Sequence, residues 1–196
     1  MKPLVVALLL AFPLSNAQTL SPKAPVPASK QWASVGAATR FAISSGTGLT
    51  IAYGREDFFA PGTDARFGFS YFSAPLYTDG GGFSAELSAD ALAYTKDPDP
   101  DTGLTLIAYG GLGPRLLVQT NIYSYDFDNP NPDRVTAFNL NVGGVGGLET
   151  RLNNFGVFLE LDITLPTIGL VGPQFRVFPF ETGLGAKLTL GSNYYF

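Results

Sequence analysis

At 196 residues with a formal net charge of −4, the chain fits one domain and offers no basic face for nucleic acid. It has no cysteine and no histidine. That excludes a disulfide framework, Ser–His and Cys–His nucleophile pairs and His metal sites, so neither an enzyme nor a cofactor is expected.

The chain opens on Lys2, the apolar run Leu4 to Leu14 and the small residues Ser15-Asn16-Ala17. A charged start, a hydrophobic stretch too short to span a bilayer and small residues at its end describe a secretory signal over 1–17. Residues 18–31, QTLSPKAPVPASKQ, hold three prolines and read as a periplasmic tether. No later run reaches the ~18 apolar residues of a spanning helix. A membrane protein of this sequence must then be a closed barrel, because only helices and closed barrels satisfy their own backbone in lipid.

From Trp32 onward the side-chain period is two, and residues 32–196 divide into eight predicted strands. The first sets Val35, Ala37, Thr39, Phe41 and Ile43 against Gly36, Ala38, Arg40 and Ala42. The second has Leu49, Ile51 and Tyr53 against Ala52, Gly54 and Glu56. After DFFAPGTD, read as a loop, the third sets Phe67, Phe69 and Tyr71 against Arg66, Gly68 and Ser70. The fourth runs from Phe83, with Glu86, Asp90 and Tyr94 opposite its alanines and Leu87.

The loop KDPDPDTG leads to a fifth strand with Leu104, Leu112 and Leu116 against Tyr109, Arg115 and Gln119. Pro114 lies inside it and predicts a bulge or an early end, since proline cannot donate to a ladder. The sixth sets Phe138, Leu140 and Val142 against Asn139, Asn141, Glu149 and Arg151, and a tight turn at Asn153-Asn154 follows. In the seventh, Phe155 to Leu165 alternate with Gly156, Glu160 and Asp162. The last, GLGAKLTLGSNYYF, alternates Leu188, Leu190, Tyr194 and Phe196 with Lys187, Thr189 and Asn193.

The charged faces together hold Arg40, Glu56, Arg66, Glu86, Asp90, Arg115, Glu149, Arg151, Glu160, Asp162 and Lys187. A soluble lipid-binding barrel would turn its bulky apolar face inward and leave these outside. A membrane barrel meets lipid with the apolar face and encloses the charges. Strand lengths near ten residues, the signal and the terminal aromatic favour the second arrangement. The fold expected is therefore all-β, an eight-stranded antiparallel up-and-down transmembrane barrel. In so narrow a lumen the enclosed charges should pair and fill the interior, with Gly36, Gly54, Gly68, Gly143, Gly156 and Gly185 making room for them.

The last eight residues carry a polar residue at Thr189, Gly191 two further on, and aromatics at Tyr194 and Phe196. This resembles the C-terminal signal of outer-membrane barrels and implies recognition by the barrel-assembly machinery of a diderm bacterium. By strand count and enclosed charge, residues 33–196 resemble the small OmpA-type and OmpX-type barrels, which implies an outer-membrane location. Unlike OmpA itself, the sequence ends at the barrel without a peptidoglycan-binding domain. Lipid A deacylases and palmitoyltransferases resemble the chain in size but carry a catalytic His that it lacks.

The function expected is structural or adhesive: a lipid-embedded anchor displaying external loops 124–134 and 166–182, which are the candidate contacts for cell-surface ligands. The alternatives are a narrow pore for ions or small solutes and, second, the soluble lipid-binding barrel. Asp97, Asp99 and Asp101 sit at alternate positions as in calcium loops, but intervening prolines and the lack of a closing Glu favour a solvated turn. GGLG and GGVGG lack the strand-to-helix setting of phosphate loops. Tyr53, Tyr71, Tyr94, Tyr123, Tyr194 and Phe196 fall near strand ends as headgroup anchors. Phe175, Val177, Phe178 and Phe180 form an aromatic cluster in the last connection, expected to pack over the barrel mouth.

Overall fold

The computed structural model describes residues 31–41, 46–73, 82–124, 133–171, 174–177 and 185–196. These form β1 (Gln31–Phe41), β2 (Gly46–Ala60), β3 (Thr63–Ser73), β4 (Phe83–Pro98), β5 (Leu104–Ser124), β6 (Asp133–Leu152), β7 (Phe155–Val171), β8 (Gln174–Val177) and β9 (Gly185–Tyr195). Each strand from β1 to β7 pairs antiparallel with the next, β7 also pairs with β9, and β9 returns to β1. Eight strands thus close into a barrel without a free edge. The four-residue β8 pairs with β7 as a short extension.

One circuit of paired residues fixes the stagger. It starts at Phe41, passes Ala186, Ile163, Gly144, Leu112, Ala91, Ala65 and Arg55, and returns to Gln31, ten residues from where it began. With eight strands, that stagger tilts each by roughly 40° from the barrel axis.

The alternation read from the sequence becomes an inside-out core. Leu112, Leu49 and Leu190 are 67%, 63% and 59% exposed, whereas Arg115, Asp162 and Glu86 are 0%, 1% and 2% exposed. Water would penalise so many outward leucines and phenylalanines, and an aqueous barrel would not enclose its charges. This excludes the soluble lipid-binding barrel.

Several boundaries differ from those read in the sequence. The stretch DFFAPGTD is not a loop: β2 continues to Ala60, the chain turns at Pro61–Gly62 and β3 begins at Thr63. A register shift between Arg55 and Ala60 and a left-handed Asp57 (φ 54°) absorb the irregular residues. Pro114 neither bulges nor ends β5. Ser88–Arg115 and Ala91–Leu112 keep one register past it, and Pro114 still faces Val142 on β6. A proline lacks only its own donor, so the β4–β5 ladder omits the pairs opposite Gly113 and Pro114 without slipping.

The loops 124–134 and 166–182 are shorter than read, because β5 reaches Ser124, β6 starts at Asp133 and β7 reaches Val171. Pro166 stays in the strand because β7 fits an extra residue, Thr167, between the partners of Asn141 and Leu140, the local remedy a bulge supplies. The barrel begins at Gln31, one residue before the reading. The signal, the rest of the tether, and residues 42–45, 74–81, 125–132, 172–173 and 178–184 lie outside the described residues.

Candidate functional site

Alternation puts a charged residue on the inner face of β1, β3, β4, β5, β7 and β9 at heights where the tilted strands bring them together. They form one chain of alternating sign. Arg40 Nη2 donates to Glu86, whose other oxygen accepts from Lys187 Nζ at 2.8 Å. Lys187 lies 3.6 Å from Asp162, which accepts from Arg115 Nη2 at 3.0 Å and Nε at 3.2 Å. Arg115 also pairs with Asp90, which accepts from Arg66 Nη2 at 2.8 Å, and Arg66 Nη1 donates to Glu160. Tyr109 adds its hydroxyl to Glu160 at 3.0 Å.

Four cations and four carboxylates are thereby neutralised in series. A buried charge without a partner costs several kcal/mol, so this pairing is the condition for enclosing them at all.

Toward the rim that carries Gln31 and Phe196, the residues Trp32, Leu92, Val145 and Tyr195 form a small buried apolar cluster inside the lumen. Glu149 sits beside it, accepting from Tyr195 Oη at 2.6 Å and Asn193 Nδ2 at 2.7 Å. At the mouth itself one oxygen of Glu56 accepts from both Lys96 Nζ (3.0 Å) and Arg151 Nη1 (2.9 Å). Arg151 also lies over the Tyr195 ring and Lys96 over Tyr94, at 4.2 Å and 4.3 Å. A cavity of about 30 Å³ remains between the cluster and the mouth, room for about one water.

The eleven residues collected from the sequence are therefore all lumenal; ten are buried, and Arg151 is half-buried at the mouth. They fall into the eight-membered ladder, the Glu56–Arg151 pair and a separate Glu149. Residues the reading left in loops or unassigned complete the arrangement: Trp32, Asp57, Asp64 and Lys96. Tyr94 is no headgroup anchor, since its hydroxyl donates inward to Asp57 at 2.8 Å. Tyr53, Tyr71, Tyr194 and Phe196 do face outward. The side chains of Tyr123, Phe175 and Val177 lie outside the described residues, as do Phe178 and Phe180.

Close approach explains several glycines. A Cβ on Gly54 would meet the Trp32 ring at 2.1 Å, and one on Gly156 would meet Glu149 Oε1 at 2.0 Å. Gly185 differs from the expectation, with only ordinary contacts at 3.7 Å. Gly156→Ala is expected to destabilise the fold by about 1–3 kcal/mol, because Glu149 is pinned by two donors and cannot yield freely. Gly185→Ala stays within about 0.5 kcal/mol; urea titration followed by unheated gel mobility measures both.

The four residues read as an assembly signal divide between faces. Thr189 (1% exposed) and Gly191 are lumenal, with Phe158 packed where a Gly191 side chain would go. Tyr194 and Phe196 are outside and stacked, 6.4 Å between centroids. At the turn read as solvated, Asp97 belongs to β4, while Asp99 caps the turn by accepting from Asp101 N (3.0 Å) and Thr102 Oγ1 (2.7 Å). Those donors, the Thr102 hydroxyl first, hold the Asp99 carboxyl below its ordinary value. Among the described residues no group of three acidic, His or Cys side chains converges to hold a metal.

No family model matches the sequence, and no curated protein matches it. Among solved structures the barrel is similar to Neisserial surface protein A, NspA, with a TM-score of 0.52 at 10% identity over 86% of this chain and 97% of that one. It is similar to Ail, the attachment invasion locus protein of Yersinia pestis in complex with the heparin analogue sucrose octasulfate (TM-score 0.52, 14% identity, 86% and 99% covered). A major outer membrane protein from Thermus thermophilus aligns at TM-score 0.50 and 18% identity, over 86% and 100% of the two chains. Likeness at such identities speaks to fold. An apolar exterior, an enclosed charge ladder and this shared architecture give the chain the fold of the small eight-stranded outer-membrane β-barrels.

Proposed function

We propose that the protein is a structural, loop-displaying barrel whose interior is a plug rather than a channel. The observation carrying this reading is the continuous ladder from Arg40 to Glu160, in which every charge has a partner of opposite sign. A pore needs mobile or solvated charges along its path, whereas these are buried and cross-linked between strands.

Gln31, Phe196 and the two-residue turn at Asn153–Asn154 lie at one rim, which suits the periplasmic side, where turns are short. The strand ends Ser124, Asp133, Val171 and Gly185 then face the outside, and an adhesive role would fall to the connections 124–134 and 166–182. The attachment protein named above supports testing that role here. The last residues of β9 would address the chain to the assembly machinery, and truncating Phe196 is the test of that partner.

In planar bilayers the purified barrel is expected to show no steady conductance above the bare membrane. A steady current abolished by Arg115→Ala or Glu160→Ala would instead establish the narrow pore.

A further inference from the structure

The hairpin joining β2 to β3 departs from the alternation of the strand that leads into it. Strict alternation would turn one of two successive residues inward. Yet Phe58 and Phe59 are both exposed, at 52% and 60%, and their rings meet edge to face with centroids 5.0 Å apart. The register shift and the left-handed Asp57 produce this display. It is also held in place: Asp57 Oδ1 accepts from Gly62 N (2.7 Å) and Tyr94 Oη (2.8 Å), and Asp57 N donates to Asp64 (2.9 Å). Arg55 lies beside the pair, its guanidinium 5.7 Å from the Phe58 ring.

The barrel geometry sets the depth of this knob. At a tilt of roughly 40°, one residue along a strand changes height by about 2.5 Å, and one step to the next strand by about 3 Å. Phe58 is five residues beyond Tyr53, so it lies about 12 Å lower. Tyr194 is two strand steps from Tyr53 through Ala33, and Phe196 lies two residues further, about 11 Å below Tyr53 in all. By the same count Phe155, paired with Tyr194, is about 9 Å below it. The knob is thus level with the outward aromatics of the terminal rim.

We infer that Phe58 and Phe59 insert into the phospholipid headgroup layer of the leaflet at that rim. The site is continuous with the lipid-facing belt, and its paired rings suit an interface better than water. The inference rests on the membrane reading of the barrel and adds a specific anchor to it.

The chain has a single tryptophan, the buried Trp32, so Phe58→Trp in a Trp32→Phe background reports the knob alone. In phosphatidylethanolamine–phosphatidylglycerol vesicles its emission is expected to be blue-shifted. Lipids brominated high on the acyl chain should quench it more than lipids brominated near the chain end, with little effect from aqueous iodide. Should Trp32→Phe impair folding, the difference spectrum of Phe58→Trp against the parent gives the same readout. Unheated gel mobility of the same vesicles reports barrel insertion separately. Water-like emission quenched by iodide and not by brominated lipid, in inserted barrels, overturns the inference. So does a blue shift that appears only when a periplasmic protein fraction is added.

Discussion

Arg115→Met is expected to lower the stability of the folded barrel by about 3–5 kcal/mol, the cost of leaving buried charges uncompensated. Arg115 is fully enclosed and joins Asp90 on one side to Asp162 on the other. It also packs against the bare backbone of Gly143, where a Cβ would lie 2.8 Å from its Nε. A methionine fills similar volume but leaves two carboxylates facing each other across an apolar gap. The consequence for the pair of changes is sharper. Adding Asp162→Asn to Arg115→Met should reduce the loss, because the ladder then splits into two partnered segments, Arg40–Glu86–Lys187 and Asp90–Arg66–Glu160. Urea titration in lipid vesicles, extrapolated to water, gives both values. A double variant less stable than the single would show that Arg115 acts through packing rather than through charge.

Leu190→Arg should cost about 2–4 kcal/mol, the penalty for a basic residue on the lipid face near the bilayer midplane. Leu190 is 59% exposed and sits between Tyr194 near one rim and Ala186 toward the other on β9. The same change at an exposed site in water falls within about 0.5 kcal/mol. The size of this effect therefore separates a lipid-facing surface from a solvated one without appeal to any relative. Lys187, three residues earlier, provides the contrast: it carries its charge on the lumenal face, where Glu86 accepts from it at 2.8 Å. A near-zero effect of Leu190→Arg in vesicles would contradict the membrane reading directly.

Much of this is legible along the chain because a strand alternates its faces by geometry alone. Arg40, Glu86, Asp90, Arg115, Asp162 and Lys187 can be gathered as one inward set without knowing a single contact. Where the reading fails, a local signal mimics the end of a strand. Prolines and glycines in DFFAPGTD and KDPDPDTG suggest loops, which leaves Asp57, Asp64 and Lys96 aside. Yet the even-numbered series Glu86, Asp90, Tyr94 and Lys96 continues unbroken into β4. Pro114 likewise suggests a break where the neighbouring strand simply forgoes a bond.

By itself, then, the sequence determined which side chains face lipid, which are enclosed, and that the enclosed charges come within one of balance, since these follow from side-chain period and charge count. Only the tertiary structure decided who pairs with whom. Partners such as Arg66 and Glu160 lie 94 residues apart, and their meeting depends on a ten-residue stagger and a tilt that no single strand encodes. The same holds for Trp32 and Tyr195, which share the lumen because β9 closes onto β1. It holds as well for the Phe58–Phe59 knob, whose level beside Phe196 exists only once the strands are wound into a barrel.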